Sequence, residues 1–261
     1  SSQQTLCDLA VYNGLALVTW ADSRGGVRAS FQDLDSGVFL INDASVDASG
    51  ELPRAIVINE SYFVVYRDST NLKARKINSV TPTTFDAEFT IATACDGTVK
   101  YFDIVQHGVN AVWAYANNAA GITVGYLNES SLVATPLLGL PNPVSVAENP
   151  LKCLSIFVNA AANRIYLAYQ NTTNGIRTVE LLNDLTTNLA ATTVENVTAT
   201  DVKNITIAET TADSVITYFY EFTAASTYNR YIKSNTLTLP STIGTAATFK
   251  NGVGLAAKAF K

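Results

Sequence analysis

Leu9-Ala-Val-Tyr-Asn-Gly-Leu-Ala-Leu-Val-Thr-Trp20 is an apolar run, an Asn-Gly turn and a second apolar run that ends in an aromatic residue. Asn-Gly is the favoured two-residue connection of a β-hairpin, because both of its positions adopt positive φ. The pattern recurs about every 50 residues, in four further stretches: Ile56 to Tyr66, Ile104 to Tyr115, Ile156 to Tyr169 and Ile205 to Tyr218. Each repeat therefore predicts a hairpin of two buried strands.

Two further strands follow each hairpin after a polar turn. In the first repeat they are Val27 to Gln32 and, more weakly, Val38 to Asn42. Four antiparallel strands in a repeat of about 50 residues are typical of a β-propeller blade. We predict an all-β protein, a β-propeller of five four-stranded blades in a single domain over residues 1–261. The predicted blades span about 7–48, 53–98, 100–147, 151–201 and 202–245.

The end of the chain repeats the pattern of its beginning. Ala247-Thr-Phe-Lys-Asn-Gly-Val-Gly-Leu-Ala-Ala-Lys-Ala-Phe260 again places Asn-Gly between two apolar runs. Residues 246–261 therefore predict a partial sixth unit. A propeller must cover its edge strands, and this unit can do so in two ways: it closes five blades as a hairpin, or it begins a sixth blade. The sequence leaves both alternatives open. The chain has no methionine and stops inside this repeat, and we expect it to be a domain of a larger protein.

Composition excludes several classes of protein. Hydrophobic residues make up 48% of the chain and charged residues 15%, which excludes a disordered chain. The net charge of −5 and the scattered cations predict no specific nucleic-acid binding. No apolar run reaches the roughly 18 residues of a membrane span. The three cysteines, Cys7, Cys95 and Cys153, lack paired spacing and predict buried free thiols. No cofactor is expected.

Polar residues open the first strand of each repeat, where propeller enzymes place catalytic groups at the mouth of the central channel. They are Asp8, Arg54, Asp103, Ser155 and Asn204. Asp8 and Asp103 are the one carboxylate pair suited to glycoside hydrolysis, with one as acid and the other as base or nucleophile. Glu209 is a third carboxylate, at the opposite end of its strand. The same residues also fit a solvated channel rim, in which Asp8 or Asp103 pairs with Arg54.

Aspartates crowd the first repeat at Asp22, Asp33, Asp35 and Asp43. Asp33 and Asp35 could supply two of the roughly six to eight oxygen ligands that calcium takes. Solvated turn carboxylates are the simpler interpretation, so we expect no metal site and keep Asp33 and Asp35 as the alternative. The only histidine, His107, lies at a predicted turn and supports neither a metal site nor a catalytic triad.

Aromatic residues serve two predicted purposes. Large rings at one position per repeat suit packing between blades, and these rings are Trp20, Tyr66, Tyr115, Tyr169 and Tyr218. The fifth repeat has more aromatics than core packing requires, and strand alternation sends neighbours to opposite faces. We predict that Tyr220, Phe222, Tyr228 and Tyr231 bind a neighbouring subunit or domain, or else a glycan or receptor.

The chain has hairpins of the kind seen from Tyr12 to Trp20, irregular loops and a composition rich in Asn, Thr and Ala. In these features it resembles the propeller domains of tailed-bacteriophage virion proteins, such as tail nozzle and tail-tip proteins. The resemblance implies a non-enzymatic structural or binding subunit of the virion tail. Its implied partners are other protein subunits of the same ring or tail assembly, or a host-surface glycan. The alternative is an extracellular, secreted propeller glycosidase or glycan-binding lectin with Asp8 and Asp103 at the channel mouth.

Overall fold

The structure is a computed structural model. It describes residues 4–99, 101–117, 121–129, 144–146, 150–159, 163–171, 175–195, 201–211, 215–223, 230–238, 242–243 and 247–251. These residues form strands, turns and bends, with no helix among them. Within the same residues, no helix of sufficient length and apolarity to cross a membrane is found.

Consecutive strands form five sheets, each with neighbouring strands in chain order. The first sheet contains β1 (Gln4–Tyr12), β2 (Leu15–Asp22), β3 (Val27–Asp33) and β4 (Phe39–Asp47). The second contains β5 (Glu51–Ile58), β6 (Ser61–Asp68), β7 (Asn71–Lys76) and β8 (Phe89–Ala92). The third contains β9 (Phe102–His107), β10 (Asn110–Asn117), β11 (Gly121–Asn128) and β12 (Val144–Val146). Each sheet corresponds to one predicted repeat.

The remaining two sheets follow the same order. The fourth contains β13 (Pro150–Asn159), β14 (Arg164–Asn171), β15 (Gly175–Leu182) and β16 (Thr187–Glu195). The fifth contains β17 (Asp201–Thr211), β18 (Val215–Thr223), β19 (Arg230–Thr238) and β20 (Thr242–Ile243). A last strand, β21 (Ala247–Asn251), pairs antiparallel with β19. The described part of the predicted sixth unit is thus hydrogen-bonded to the fifth sheet, and residues 252–261 lie outside the described residues.

Turn chemistry explains the first two hairpins. Asn13 and Gly14 have φ values of 45° and 73°, and they join Tyr12 to its cross-strand partner Leu15. Asn59 and Glu60 adopt the same left-handed conformation, with φ values of 45° and 65°. Two successive positive φ values give a turn whose twist matches that of the strands.

The chain divides into two compact units, which are described separately. The first comprises residues 1–100, 104–112 and 125–137, and the second comprises 101–103, 113–124 and 138–261. In the first unit, the first and second sheets share an apolar core of Leu17, Val27, Ala29, Phe31, Ile41, Val46, Ala55, Val57, Tyr62, Val64, Tyr66 and Ile77. The rings of Phe31 and Tyr62 meet edge to face at 4.8 Å within it.

In the second unit, β14 is buried on both faces from Ile165 onward. The rings of Trp113 and Tyr115 stack with their centroids 5.6 Å apart. Of the aromatics predicted to pack between blades, Trp20, Tyr66, Tyr115 and Tyr169 are buried, and Tyr66 belongs to the core that the first and second sheets share. The side chain of Tyr218 lies outside the described residues.

One core prediction is wrong. Cys95 is a buried thiol, as expected, but Cys7 is exposed. Cys7 lies on the same face of β1 as Leu9 and Val11, two and four residues further on, and both of these side chains are also exposed. The side chain of Cys153 lies outside the described residues.

Candidate functional site

A β-bulge precedes the polar residue in the first strand of four sheets. In β1, Thr5 pairs with Ala21 and Asp8 with Thr19, so Leu6 and Cys7 together oppose the single residue Trp20. The equivalent irregularities lie before Arg54 in β5, around Cys153 in β13 and at Lys203 in β17. Bulges bend a strand and re-aim the side chains beside them, and they are over-represented next to active sites.

The bulge in β5 is built from Leu52 and Pro53, which together oppose Tyr66. Leu52 has a φ of 53°, a left-handed conformation that costs a leucine about 1–2 kcal/mol. Proline is tolerated inside a strand at bulges and edges, because it has no N–H to contribute to a ladder. The Leu-Pro pair was the signal in the sequence that could have located this bulge, and the repeat pattern alone does not reveal it.

Asp8 follows the bulge of β1 and contacts the next sheet within the first unit. Its Oδ2 accepts the main-chain N–H of Ala55 at 3.0 Å. β5 is the first strand of its sheet, so one of its edges has no neighbouring strand in that sheet. The carboxylate of Asp8 therefore caps a main-chain donor on a sheet edge, where an unsatisfied N–H would be costly.

Asp103 makes the equivalent contact within the second unit. Its Oδ2 accepts the main-chain N–H of Ile156 at 2.8 Å, and Ile156 lies in β13, the first strand of the fourth sheet. Asp8 and Asp103 are both half-buried. A carboxylate has two oxygens and about four lone-pair sites, so a bond from one N–H is compatible with proton transfer or nucleophilic attack at the same group.

Arg54 occupies the position in β5 that Asp8 occupies in β1, since each directly follows its bulge. Its side chain is half-buried, and its Nη1 donates to the carbonyl oxygen of Pro53 at 3.3 Å. Because the N–H of the following residue, Ala55, is donated to Asp8, the carboxylate of Asp8 lies one residue from Arg54 along β5. Both residues belong to the first unit.

The other predicted site residues have different settings. Glu209 pairs with Ile216 near the hairpin end of β17, away from Asn204. Tyr220 and Phe222 lie in β18, and Tyr231, in β19, is the cross-strand partner of Phe222. These positions are described by their backbone alone, and Tyr228 lies outside the described residues.

The aspartates of the first repeat have structural partners. Oδ1 of Asp33 accepts the N–H groups of Asp35 and Ser36 at 2.9 and 3.0 Å. The N–H of Ser36, and then that of Asp35, holds the pKa of Asp33 below its usual value against the opposing effect of desolvation. Asp33 therefore caps its own turn, and no cluster of three potential metal ligands occurs among the described residues.

Asp22 and Asp43 bind arginines of the same sheet. Arg24 contacts Asp22 at 2.5 Å and Asp43 at 3.1 Å, and Arg28 contacts Asp43 at 2.5 Å. The hydrogen bonds from Arg24 lower the pKa of Asp22, and those from Arg28 and then Arg24 lower the pKa of Asp43. This network, made of side chains from β2, β3, β4 and a turn, balances charge within the first sheet.

No family model and no curated protein matches this chain. Solved structures do. A putative exo-β-1,3-galactanase from Bifidobacterium bifidum aligns at 11% identity over 94% of this chain and 90% of that chain, with a TM-score of 0.56. The chain has the β-propeller fold. The catalytic domain of a GH62 α-L-arabinofuranosidase from Coprinopsis cinerea aligns at 10% identity over 96% and 92%, with a TM-score of 0.52.

A third propeller relative is a GH43 β-1,3-galactosidase. It aligns at 12% identity over 87% of this chain, with a TM-score of 0.52, and this chain spans 55% of its length. These comparisons establish the fold and correct the predicted relationship. The predicted similarity to phage tail proteins is wrong, because these three similar structures are named as glycosidases. The expectation of a non-enzymatic virion component is wrong for the same reason.

Proposed function

We propose that this propeller is a glycoside hydrolase and that Asp8 and Asp103 each take part in hydrolysis. The observation that carries the proposal is that both half-buried carboxylates bind the first strand of the next sheet in the same way, in a fold that the similar structures use for glycosidases. An extracellular location suits a polysaccharide substrate and forms part of the proposal.

Hydrolysis breaks the bond between the anomeric carbon and the glycosidic oxygen and adds water across it. One carboxyl group protonates the departing oxygen, and a second carboxylate either activates the water or attacks the anomeric carbon. Asp8, in the first unit, and Asp103, in the second, are separate candidates for either function. The main-chain N–H that each accepts orients its carboxylate and leaves the group able to exchange a proton.

The first substrates to test are β-1,3-linked galacto-oligosaccharides and α-L-arabinofuranosides, the linkages named for the similar structures. Release of reducing ends is measured for the wild type, Asp8→Asn and Asp103→Asn. Positioned acid–base groups contribute about 100- to 10,000-fold, so each variant should lose at least about 100-fold in turnover. Asparagine keeps an acceptor oxygen for the main-chain N–H, so both variants should keep their fold.

Asp184→Asn is the matched control, because Oδ1 of Asp184 also accepts a main-chain N–H, that of Thr186 at 2.9 Å, in a turn. It should leave turnover unchanged. Full activity in both Asp8→Asn and Asp103→Asn would overturn the assignment of these residues. Binding of the same glycans with no turnover by the wild type would overturn the hydrolase and favour a glycan-binding module.

A further inference from the structure

The bulge of β5 decides which residue of that strand meets Asp8. If pairing with β6 continued regularly from Glu51, Arg54 would lie opposite Val64, whereas the bulge gives this position to Ala55. The N–H of Ala55 then donates to Oδ2 of Asp8 at 3.0 Å. The side chain of Ala55 lies in the core that the first and second sheets share. The extra residue of the bulge therefore determines both contacts.

The second unit repeats this arrangement. The pairing of β13 is irregular on both sides of Lys152. Further along the same strand, Ile156 donates its main-chain N–H to Asp103 at 2.8 Å. An irregularity before the donor thus accompanies both proposed catalytic carboxylates, and bulges are over-represented next to active sites. Its recurrence in two sheets indicates that the bulge serves the contact with the carboxylate.

The bulge of β5 contains an unfavourable main-chain conformation. Leu52 has a φ of 53° inside the strand, in a region that large L-residues rarely adopt. Pro53 follows it and has no N–H to contribute to a ladder. The two residues together oppose Tyr66, which is fully buried. Strained backbone of this kind persists where the surrounding structure enforces it, and it clusters at functional positions.

We propose that Leu52 is a positioning residue for Asp8. Its left-handed conformation keeps the extra residue at this point of β5, and the extra residue directs the N–H of Ala55 to the carboxylate of Asp8. That N–H fixes the orientation in which the carboxylate oxygens meet a substrate, and catalysis depends on such orientation. The inference rests on the proposed hydrolase for what the positioned carboxylate does.

Two substitutions of Leu52 with opposite backbone preferences test the inference. Valine is β-branched and opposes a positive φ, whereas glycine adopts it freely. The first measurement is the amide proton resonance of Ala55 in isotope-labelled protein, and Asp8→Ala marks its position when the hydrogen bond is absent. We expect Leu52→Val to move the resonance toward that position and Leu52→Gly to leave it near its wild-type position.

The second measurement is steady-state hydrolysis of the substrates named above. Leu52→Val should lower kcat by up to about 100-fold, because small misplacements of a reacting group have effects of this size. KM should change little, because the contact between Ala55 and Asp8 orients the reacting carboxylate and does not bind the substrate in its ground state. Leu52→Gly should recover most of the kcat that Leu52→Val loses.

Leu185→Val is the matched control for stability. Leu185 also has a positive φ, 63°, in the turn between β15 and β16. This variant should lose stability as Leu52→Val does, and it should leave the Ala55 resonance and kcat unchanged. Pro53→Ala tests the bulge without a β-branched residue, since it restores an N–H with which the strand can pair, and it should also displace the Ala55 resonance. If Leu52→Val does not fold, Pro53→Ala decides by the same two measurements.

An Ala55 resonance that keeps its wild-type position in Leu52→Val and Pro53→Ala would overturn the inference. Equal losses of kcat in Leu52→Val and Leu185→Val would also overturn it, because a general loss of stability would then explain both. An undiminished kcat in Leu52→Val despite a displaced resonance would overturn the inference and leave the hydrolase in place. A displaced resonance with no hydrolysis by the wild type would support the positioning of Asp8 and overturn the hydrolase.

Discussion

Oδ2 of Asp8 accepts a hydrogen bond from the main-chain N–H of Ala55 at 3.0 Å, although the two residues lie 47 positions apart in the chain. Ala55 is buried, so its N–H needs an acceptor once the protein folds. Asp8→Ala removes the acceptor and should destabilise the protein by about 1–3 kcal/mol, whereas Asp8→Asn should cost less because its amide oxygen still accepts. Urea unfolding checks this. Equal losses for the two variants would show that charge, and not the acceptor, stabilises this contact.

The ion pair of Lys76 with Glu129 predicts a dependence of stability on pH. The hydrogen bond from Lys76 lowers the pKa of Glu129 against the opposing effect of desolvation. A carboxyl whose folded pKa lies below its unfolded pKa stabilises the fold above the unfolded value, near 4.3, and loses that contribution as pH falls through the folded value. Lys76→Met should therefore lower the melting temperature clearly at pH 7 and much less at pH 2.

Glu129→Gln is the complementary variant for this pair. It removes the charge that acid would neutralise and keeps an acceptor for the hydroxyl of Ser61, which lies 3.3 Å from Oε1. At pH 7, Glu129→Gln should therefore be less stable than the wild type by about as much as Lys76→Met is. A difference between wild type and Lys76→Met that stays constant from pH 7 to pH 2 would contradict the assignment.

Gly26 and Gly37 have similar backbone conformations but different surroundings, with φ values of 80° and 73°. A Cβ on Gly26 would lie 1.9 Å from the carbonyl oxygen of Asp47, whereas a Cβ on Gly37 would meet nothing within 4 Å. Gly37→Ala should cost about 1 kcal/mol for its left-handed φ. Gly26→Ala should cost roughly 3 kcal/mol or more, because main chain must move as well. Chemical denaturation of both variants measures the difference, and equal costs would contradict the close approach.

The two thiols whose burial is described should differ in reactivity. Cys7 is exposed, whereas Cys95 is buried and burial raises its pKa to about 11. Since the thiolate is the reactive form, a disulfide reagent at pH 8 should modify Cys7 quickly and Cys95 only after unfolding. The measurement uses a Cys153→Ser background, and Cys7→Ser should remove the fast phase. A fast phase that persists in Cys7→Ser would place Cys95 at the surface.

Much of the architecture could be predicted from local patterns. The Asn13-Gly14 turn, the apolar runs on either side of it and the repeat of this hairpin were sufficient to predict five sheets, of which four have four strands and the fifth gains β21 as another strand. Turn chemistry and strand alternation depend on neighbouring residues, which a sequence displays directly. The burial of Trp20 and Tyr66 follows from the same periodicity.

The partners of charged residues could not be predicted in this way. Asp22 and Asp43 stand out in the sequence only as members of an acidic cluster, whereas in the structure they bind Arg24 and Arg28. Cys7 is predicted to be buried, but it lies on the face of β1 that it shares with the exposed residues Leu9 and Val11. A β-bulge changes the direction of the side chains beside it. The repeating hydrophobic pattern of the sequence does not show where a strand has an extra residue.

The sequence by itself determined that this protein is built from repeated hairpins, because short-range turn and strand preferences are sufficient for that. Tertiary structure alone decided what Asp8 and Asp103 contact, since their partners Ala55 and Ile156 lie 47 and 53 residues away. A bond across such a separation forms only after two sheets have packed. Sequence patterns identify the carboxylates, and packing determines which main-chain donor each of them meets.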